Sequence, residues 1–136
     1  IATALTRTAS ASQRNIPSYN PAVKDRLLPF AISFAVTCLF FINVCNWLFD
    51  CGCHSLWAGA DAMCNVHLAN VRHCPICSRG IAGYAAVMTA VTLPQLAASI
   101  WLPSRAIIRS IVCLLLFPAG MAAVGALLGV YDGYWN

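Results

Sequence analysis

The sequence predicts an all-α integral membrane protein with three transmembrane helices and a Cys/His-rich loop between helices 1 and 2. Apolar residues make up 60% of the chain and charged residues 9%, whereas soluble domains carry about 25% charged residues. Three segments, 27–49, 81–102 and 107–131, are almost free of charge and long enough to cross a hydrocarbon core of about 30 Å. The 136 residues have room for one domain.

Residues 1–26 are predicted to form a polar tail. This stretch is rich in Ser, Thr, Asn and Pro and has no periodic apolar face, so we expect it to be extended or bound to a partner protein. Its first acid is Asp25, which gives the tail the basic, hydroxylated character of an organellar transit peptide. An ordinary cytoplasmic arm is the favoured interpretation.

The first predicted transmembrane helix runs from Leu27 to Phe49 and contains no charge. Pro29 falls in its predicted first turn, where the missing N–H is least damaging. Asn43 and Asn46 lie near the end that meets the loop, and Trp47 suits a membrane interface. The pattern therefore predicts a span whose polar end faces the loop.

The second predicted helix, 81–102, is also free of charge, and Pro94 is expected to kink it. Thr92, Gln95 and Ser99 recur on one side of this helix. We expect that stripe to form hydrogen bonds with a neighbouring helix.

The third predicted helix, 107–131, carries Arg109 in its first turn, from which the side chain can snorkel toward water. Pro118 is expected to bend it. Gly125 and Gly129 form a G-x-x-x-G pair, which favours close helix packing. We expect other membrane subunits to bind this glycine face and the N-terminal tail.

Basic residues predict the orientation in the membrane. Six of them precede the first helix or flank the connection between helices 2 and 3: Arg7, Arg14, Lys24, Arg26, Arg105 and Arg109. Only Arg72 and Arg79 lie in the loop. The N-terminus is therefore predicted on the cytoplasmic or matrix side, and the loop on the outer side, of a bacterial or organellar inner membrane.

The Cys/His loop, residues 50–80, holds the side chains that bind metals. Its candidate ligands are Cys51, Cys53, His54, Cys64, His67, His73, Cys74 and Cys77. The spacings Cys-x-x-His, Cys-x-x-His and His-Cys-Pro-Ile-Cys allow a single turn to supply two ligands of a tetrahedral zinc ion. We also expect a short helix from Leu56 to about Ala69, with Cys64 and His67 on one face.

Eight ligands are enough for two tetrahedral sites. One site, built from Cys51 or Cys53, Cys64 or His67, Cys74 and Cys77, is the smaller claim. Cys45 lies close to the loop end of helix 1 and is able to extend the set.

Other cysteine chemistries stay open. Cys51 or Cys53 could form a disulfide with Cys74 or Cys77 in an oxidising compartment, although this leaves the histidines unexplained. Cys74-Pro-Ile-Cys77 has the spacing of a redox dithiol, beside His73. An iron–sulfur or haem site is disfavoured, because Cys-x-His before Cys51 and a histidine directly after Cys77 are both missing.

The functional prediction follows from what the spans lack. Apart from Arg109 near the start of helix 3, the spans hold no charged residue and no His, so no Asp, Glu, Lys or His lies in their middle, which disfavours a pump or a carrier of charged substrates. We expect an accessory subunit of a larger membrane complex, handling electrons, with zinc cross-linking the loop and no catalytic residue of its own. The alternatives are a thiol-disulfide oxidoreductase acting through Cys74 and Cys77, or a soft-metal carrier using Cys38, Cys45 and Cys113.

Overall fold

The predicted fold class is confirmed in a computed structural model, which describes residues 21–136 and the side chains from residue 23 onward. Three helices, α1 (Pro21–Phe49), α2 (Gly80–Trp101) and α3 (Ala106–Tyr131), pack against one another in pairs. All three are long and apolar enough to cross a membrane. The Cys/His loop connects α1 to α2 through three single turns of 3₁₀-helix: Leu56–Ala58, Asn65–His67 and Cys77–Arg79.

The first helix begins at Pro21, earlier than the Leu27 expected from the sequence. The end of the predicted tail therefore belongs to α1, and Pro29 lies inside the helix rather than in its first turn. A proline at this depth deprives the helix of one backbone hydrogen bond. The expectations for residues 1–20, including a bound or extended tail, lie outside the described residues.

Each helix buries a narrow stripe with one residue per turn. The buried stripes are Pro29, Ser33, Thr37, Phe41, Cys45 and Phe49 on α1, Gly83, Val87, Val91, Gln95 and Ser99 on α2, and Arg109, Cys113, Phe117, Met121, Gly125 and Gly129 on α3. Most of the remaining helix surface is exposed or half-buried, as expected where lipid replaces water as the surroundings. Small and polar residues supply much of the contact between helices.

Gln95 joins the three helices through its side-chain amide. Its Nε2 donates to Thr37 Oγ1 on α1 at 3.0 Å and to the Cys113 backbone carbonyl on α3 at 3.2 Å. Ser99 donates to the Arg26 carbonyl, so two of the three expected stripe residues bond to a neighbouring helix. Thr92 instead donates weakly to the Thr89 carbonyl in its own helix.

The glycine pair on α3 contacts other parts of this chain. A Cβ atom added to Gly125 would lie 3.0 Å from Leu48 and 3.5 Å from Phe49 on α1, and one added to Gly129 would meet the Trp135 ring. The described residues thus occupy this face within the chain itself. The expectation of partner subunits stays a prediction.

Arg109 lies against backbone carbonyls instead of reaching toward water. Its guanidinium donates to the Ser104 carbonyl at 2.8 Å and to the Asp25 carbonyl at 3.3 Å, and the residue is only 8% exposed. This contact connects the start of α3 to the start of α1.

The C-terminal residues fold back beside the loop. Arg79 forms two hydrogen bonds with the Asp132 carboxylate, at 2.7 and 2.8 Å. Tyr134 donates through its hydroxyl to the Phe49 carbonyl, and the Trp135 ring stacks on the Phe49 ring with centroids 5.7 Å apart. The end of the chain and the loop therefore share one end of the helix bundle.

Candidate metal centre

The turn after α1 is shaped to present two cysteines inward. The helix ends where Asp50 takes a left-handed conformation, with φ 44°, and Gly52 follows with φ 76°. The Gly52 N–H donates to Asn46 Oδ1 at 2.8 Å, which folds the turn back onto the helix end. Cys51 and Cys53, on either side of this glycine, are 1% and 2% exposed.

Gly52 is required by space as well as by backbone conformation. A Cβ atom at this position would lie 2.7 Å from the Met63 carbonyl oxygen. Only glycine therefore lets the turn approach the segment that carries Cys64, and a positive φ is unfavourable for other residues.

Asn65 connects the three cysteine-bearing segments of the loop. Its backbone N–H donates to the Cys51 carbonyl at 2.7 Å, and its side-chain oxygen accepts from the Cys74 N–H at 3.0 Å. Its Nδ2 donates to the Arg72 carbonyl at 2.8 Å. The sequence pattern indicates neither the role of Asn65 nor that of Asn46, because their partners are distant in sequence or are backbone atoms.

Cys74 and Cys77 come from one tight turn, as the sequence predicted. The Ser78 N–H donates to the Cys74 carbonyl at 2.9 Å, and the chain then enters α2. The Cys77 sulfur lies 3.2 Å from the Tyr84 hydroxyl oxygen, in the first turns of that helix. The turn is thereby fixed to the helix that follows it.

Six cysteine sulfurs converge in the interior at this end of the bundle. They form two overlapping sets of four, and within each set all sulfurs lie within 4.8 Å of one another. The first set is Cys45, Cys51, Cys74 and Cys77, and the second set is Cys51, Cys53, Cys64 and Cys77. All six residues are buried, and all are free thiols. The arrangement is able to hold a metal ion.

Two of the sulfur–sulfur separations suit a tetrahedral thiolate site. Cys45 Sγ lies 3.5 Å from Cys74 Sγ, and Cys53 Sγ lies 3.9 Å from Cys77 Sγ. Two thiolates bound to one zinc at about 2.3 Å, in tetrahedral geometry, are about 3.8 Å apart. A disulfide would require about 2.05 Å between the two sulfurs.

Cys45 belongs to the first set although it lies within α1. It is 1% exposed and faces the loop from the buried stripe of that helix. The sequence suggested it only as an extension of the loop ligands. Its place in the set means that a bound ion would connect the loop to a membrane-spanning helix.

The three candidate histidines lie on the exposed surface of the loop, outside both sets. His67 Nε2 lies 3.1 Å from the Asp61 carbonyl oxygen, and His73 Nε2 lies 3.0 Å from the Leu68 carbonyl oxygen. His54 is exposed as well. The structure thus brings together the five predicted loop cysteines and separates them from the imidazoles.

The helix expected from Leu56 to about Ala69 is wrong. Only two isolated 3₁₀ turns form there, because Gly59 and Ala60 adopt left-handed conformations, with φ 105° and 51°. Cys64 and His67 consequently share no helix face: Cys64 is buried and His67 is exposed. The irregular path lets Cys64 turn inward toward the other sulfurs.

The thiols influence one another's ionisation. Hydrogen bonding to Cys45, and next to Cys74, lowers the pKa of Cys51 to about 6. Burial raises the pKa of Cys53 and of Cys64 above that of an ordinary thiol. Buried thiols ionise when a cation supplies compensating charge. The set is therefore chemically suited to a metal cation.

Cys38 and Cys113 lie outside both sets. Cys38 is half-buried on α1, and Cys113 Sγ donates to the Gln95 carbonyl at 3.3 Å between α3 and α2. They act in the described structure as small packing residues.

Comparison with known proteins adds no functional assignment: no protein-family model, no curated protein and no solved structure matches this chain.

Proposed function

We propose that the Cys/His loop is folded around a structural zinc site and that the protein is an accessory subunit of a larger membrane complex, one that transfers electrons. The observation that carries the metal site is the convergence of buried cysteine sulfurs at tetrahedral spacing. Structural zinc sites use four protein ligands and leave no open position, whereas catalytic ones keep a position for water or substrate.

An all-thiolate set favours zinc over harder cations. Thiolates select zinc, copper(I) and iron–sulfur centres, while carboxylates and carbonyls suit magnesium and calcium. Four sulfurs within 4.8 Å of one another match ligands on a single ion. In an iron–sulfur cluster, sulfide ions lie between the metals and hold the cysteines of different irons farther apart.

The accessory role is supported by where the polar groups are. The polar side chains between the helices, such as Gln95 and Thr37, bond to one another and to the backbone. No acidic or histidine side chain lies in residues 27–49, 81–102 or 107–131, and the one buried cation of the described residues, Arg109, is held by backbone carbonyls. Polar residues that mark an ion pathway would face a water-filled cavity instead.

The proposal also covers the partner complex, which would transfer electrons. The partners would contact exposed apolar surfaces of the helices, together with the N-terminal tail. The thiol-oxidoreductase alternative fits less well, because Cys74 is 0% and Cys77 7% exposed and thiol exchange requires a sulfur that reaches its substrate.

Elemental analysis of the full chain, purified in a mild detergent, tests the metal site. We expect zinc bound in stoichiometric amount, and we expect a strong chelator to expose the loop cysteines to a thiol reagent. Purification of the protein from native membranes in the same detergent should recover the chain within a larger assembly. Absence of zinc with freely reactive loop thiols contradicts the metal site, and a monomeric chain in native membranes contradicts the subunit role.

A further inference from the structure

We propose that this protein holds two zinc ions in one cluster, with the sulfurs of Cys51 and Cys77 each bridging both ions. This proposal rests on the proposed structural zinc site and extends it from one ion to two. The observation behind it is that the two sets of four sulfurs share two members, Cys51 and Cys77.

The six sulfurs supply the number of bonds that two ions need. Two tetrahedral ions need eight metal–sulfur bonds. Four cysteines occur in one set only and would supply one bond each: Cys45, Cys74, Cys53 and Cys64. Cys51 and Cys77 occur in both sets and would supply two bonds each, which gives the remaining four. The six sulfurs thus define two tetrahedra that share an edge.

Each tetrahedron has an observed edge of suitable length. In the first set, Cys45 Sγ and Cys74 Sγ are 3.5 Å apart. In the second set, Cys53 Sγ and the shared Cys77 Sγ are 3.9 Å apart. Both distances lie close to the value of about 3.8 Å that follows from zinc–sulfur bonds of about 2.3 Å.

The second ion adds no buried net charge. One Zn²⁺ held by four thiolates carries two negative charges, and Cys53 and Cys64 remain neutral thiols beside it. Binding a second Zn²⁺ releases the protons of these two thiols and forms bonds to their sulfurs. Six thiolates and two Zn²⁺ again carry two negative charges in total. A buried site tolerates this exchange of two protons for one dication, because the net charge removed from water does not grow.

A single ion would leave part of the structure unexplained. With only the first set filled, Cys53 and Cys64 would be free thiols at 2% and 0% exposure. Gly52 and Asn65, whose contacts bring the Cys51–Cys53 turn and the Cys64 segment together, would then position sulfurs that bind nothing. Buried cysteines do occur as packing residues, so stoichiometry must decide.

The test is zinc content and zinc X-ray absorption on the full chain in detergent. We expect two zinc ions per chain, sulfur-only first shells, and zinc–zinc scattering at a distance on the order of 3 Å, as shared thiolates impose with bonds of about 2.3 Å. One zinc per chain overturns this proposal and leaves the structural zinc site standing. No zinc overturns both. Two zinc ions without zinc–zinc scattering also overturn the shared cluster.

Single substitutions separate bridging from terminal sulfurs. Cys64→Ala removes a sulfur of the second set only and should reduce the zinc content from two ions per chain to one. Cys77→Ala removes a sulfur shared by both sets and should weaken the binding of both ions. Cys38→Ala, outside both sets, is the matched control and should retain two. Because a cysteine variant can fail to fold, cobalt(II) is also added to the unaltered chain. Thiolate-bridged cobalt(II) ions couple magnetically. The paramagnetic resonance signal should therefore decrease when the amount of cobalt is raised from one to two equivalents per chain. A signal that doubles refutes bridging.

Discussion

Cys45 Sγ on α1 lies 3.5 Å from Cys74 Sγ in the loop, which places a membrane-spanning helix and an extramembrane turn in one sulfur cluster. The two residues are separated by 29 positions in sequence. A metal ion bound there would fix the loop to the helix bundle directly. The loop would then not unfold separately from the helices, and its stability would depend on the end of α1.

The first prediction concerns this connection. Replacing Cys45 with Ala should weaken zinc binding by more than about tenfold, because loss of a partner that only orients a ligand already costs about 10–100-fold. Competition with a chromophoric chelator measures the affinity. Cys38→Ala, on the same helix but outside both sets, should leave the affinity unchanged. Equal zinc affinities for the unaltered protein and for the Cys45→Ala and Cys38→Ala variants would show that Cys45 binds no metal.

The second prediction concerns the polar contact between the helices. A double-mutant cycle with Gln95→Leu and Thr37→Val should give a coupling free energy of about 0.5–2 kcal/mol, since interhelical hydrogen bonds in membranes average about 0.6 kcal/mol. Unfolding in a mixed detergent titration provides the free energies. Pairing Gln95→Leu with Thr89→Val is the control, because Thr89 donates to the carbonyl of Ala85 in its own helix. A coupling of zero in the first cycle would contradict the observed contact.

The third prediction separates steric clash from backbone strain. Gly52 and Gly133 both have positive φ, 76° and 62°, but only a Cβ at Gly52 meets another atom, the Met63 carbonyl. Alanine at either position should cost about 1–2 kcal/mol for the left-handed backbone. Gly52→Ala should cost about 1–3 kcal/mol more, because its carbonyl neighbour must move.

Chemical unfolding of both variants measures the difference, and reactivity of the loop cysteines shows where it acts. Gly52→Ala should expose the loop thiols, whereas Gly133→Ala should leave them protected. Similar losses of stability in the two variants would rule out the clash at Gly52.

The fourth prediction concerns pH. Hydrogen bonds from Arg79 lower the pKa of the Asp132 carboxyl, so the pair stabilises the fold above the unfolded-state pKa and this contribution is lost as pH falls through the lower folded-state pKa. The partly exposed pair should contribute about 0.2–1 kcal/mol. Asp132→Asn should remove this loss at acid pH, as unfolding at several pH values will show. Asp61→Asn, on the exposed loop, should retain it.

The fifth prediction concerns the orientation in the membrane that the distribution of basic residues predicts. A membrane-impermeant thiol reagent should label Ala69→Cys, in the exposed part of the loop, from the outer side only. Arg105→Cys, in the exposed connection between α2 and α3, should be labelled only after the membrane is permeabilised. The reverse pattern would invert the predicted topology.

The sequence predicted the three helices well because their signal is local. Long apolar segments must satisfy backbone hydrogen bonds internally in a bilayer, so composition and length suffice to predict α1, α2 and α3. The start of α1 was less predictable. The residues from Pro21 to Arg26 are polar enough to resemble a tail, yet Arg26 and its carbonyl bond to the end of α2, a contact that only the packed helices provide.

The loop was harder, because its ligands are chosen by position in space. The residue types predicted that both thiols and imidazoles would be metal ligands, since both bind zinc. The Leu56–Ala69 helix followed from a local pattern that Gly59 interrupts. The path imposed by Asn46, Gly52 and Asn65 then turns the cysteines inward and leaves the histidines at the surface.

By itself, the sequence determined that this chain has three membrane-length helices and a loop holding enough soft ligands for metal chemistry, because apolar length and residue type are properties of single segments. Tertiary structure alone decided which ligands meet. It added Cys45 from α1, set the three histidines apart and made Cys51 and Cys77 common to both sets. Those outcomes depend on distances between atoms far apart along the chain, which hydrogen bonds and close packing at the end of the bundle fix.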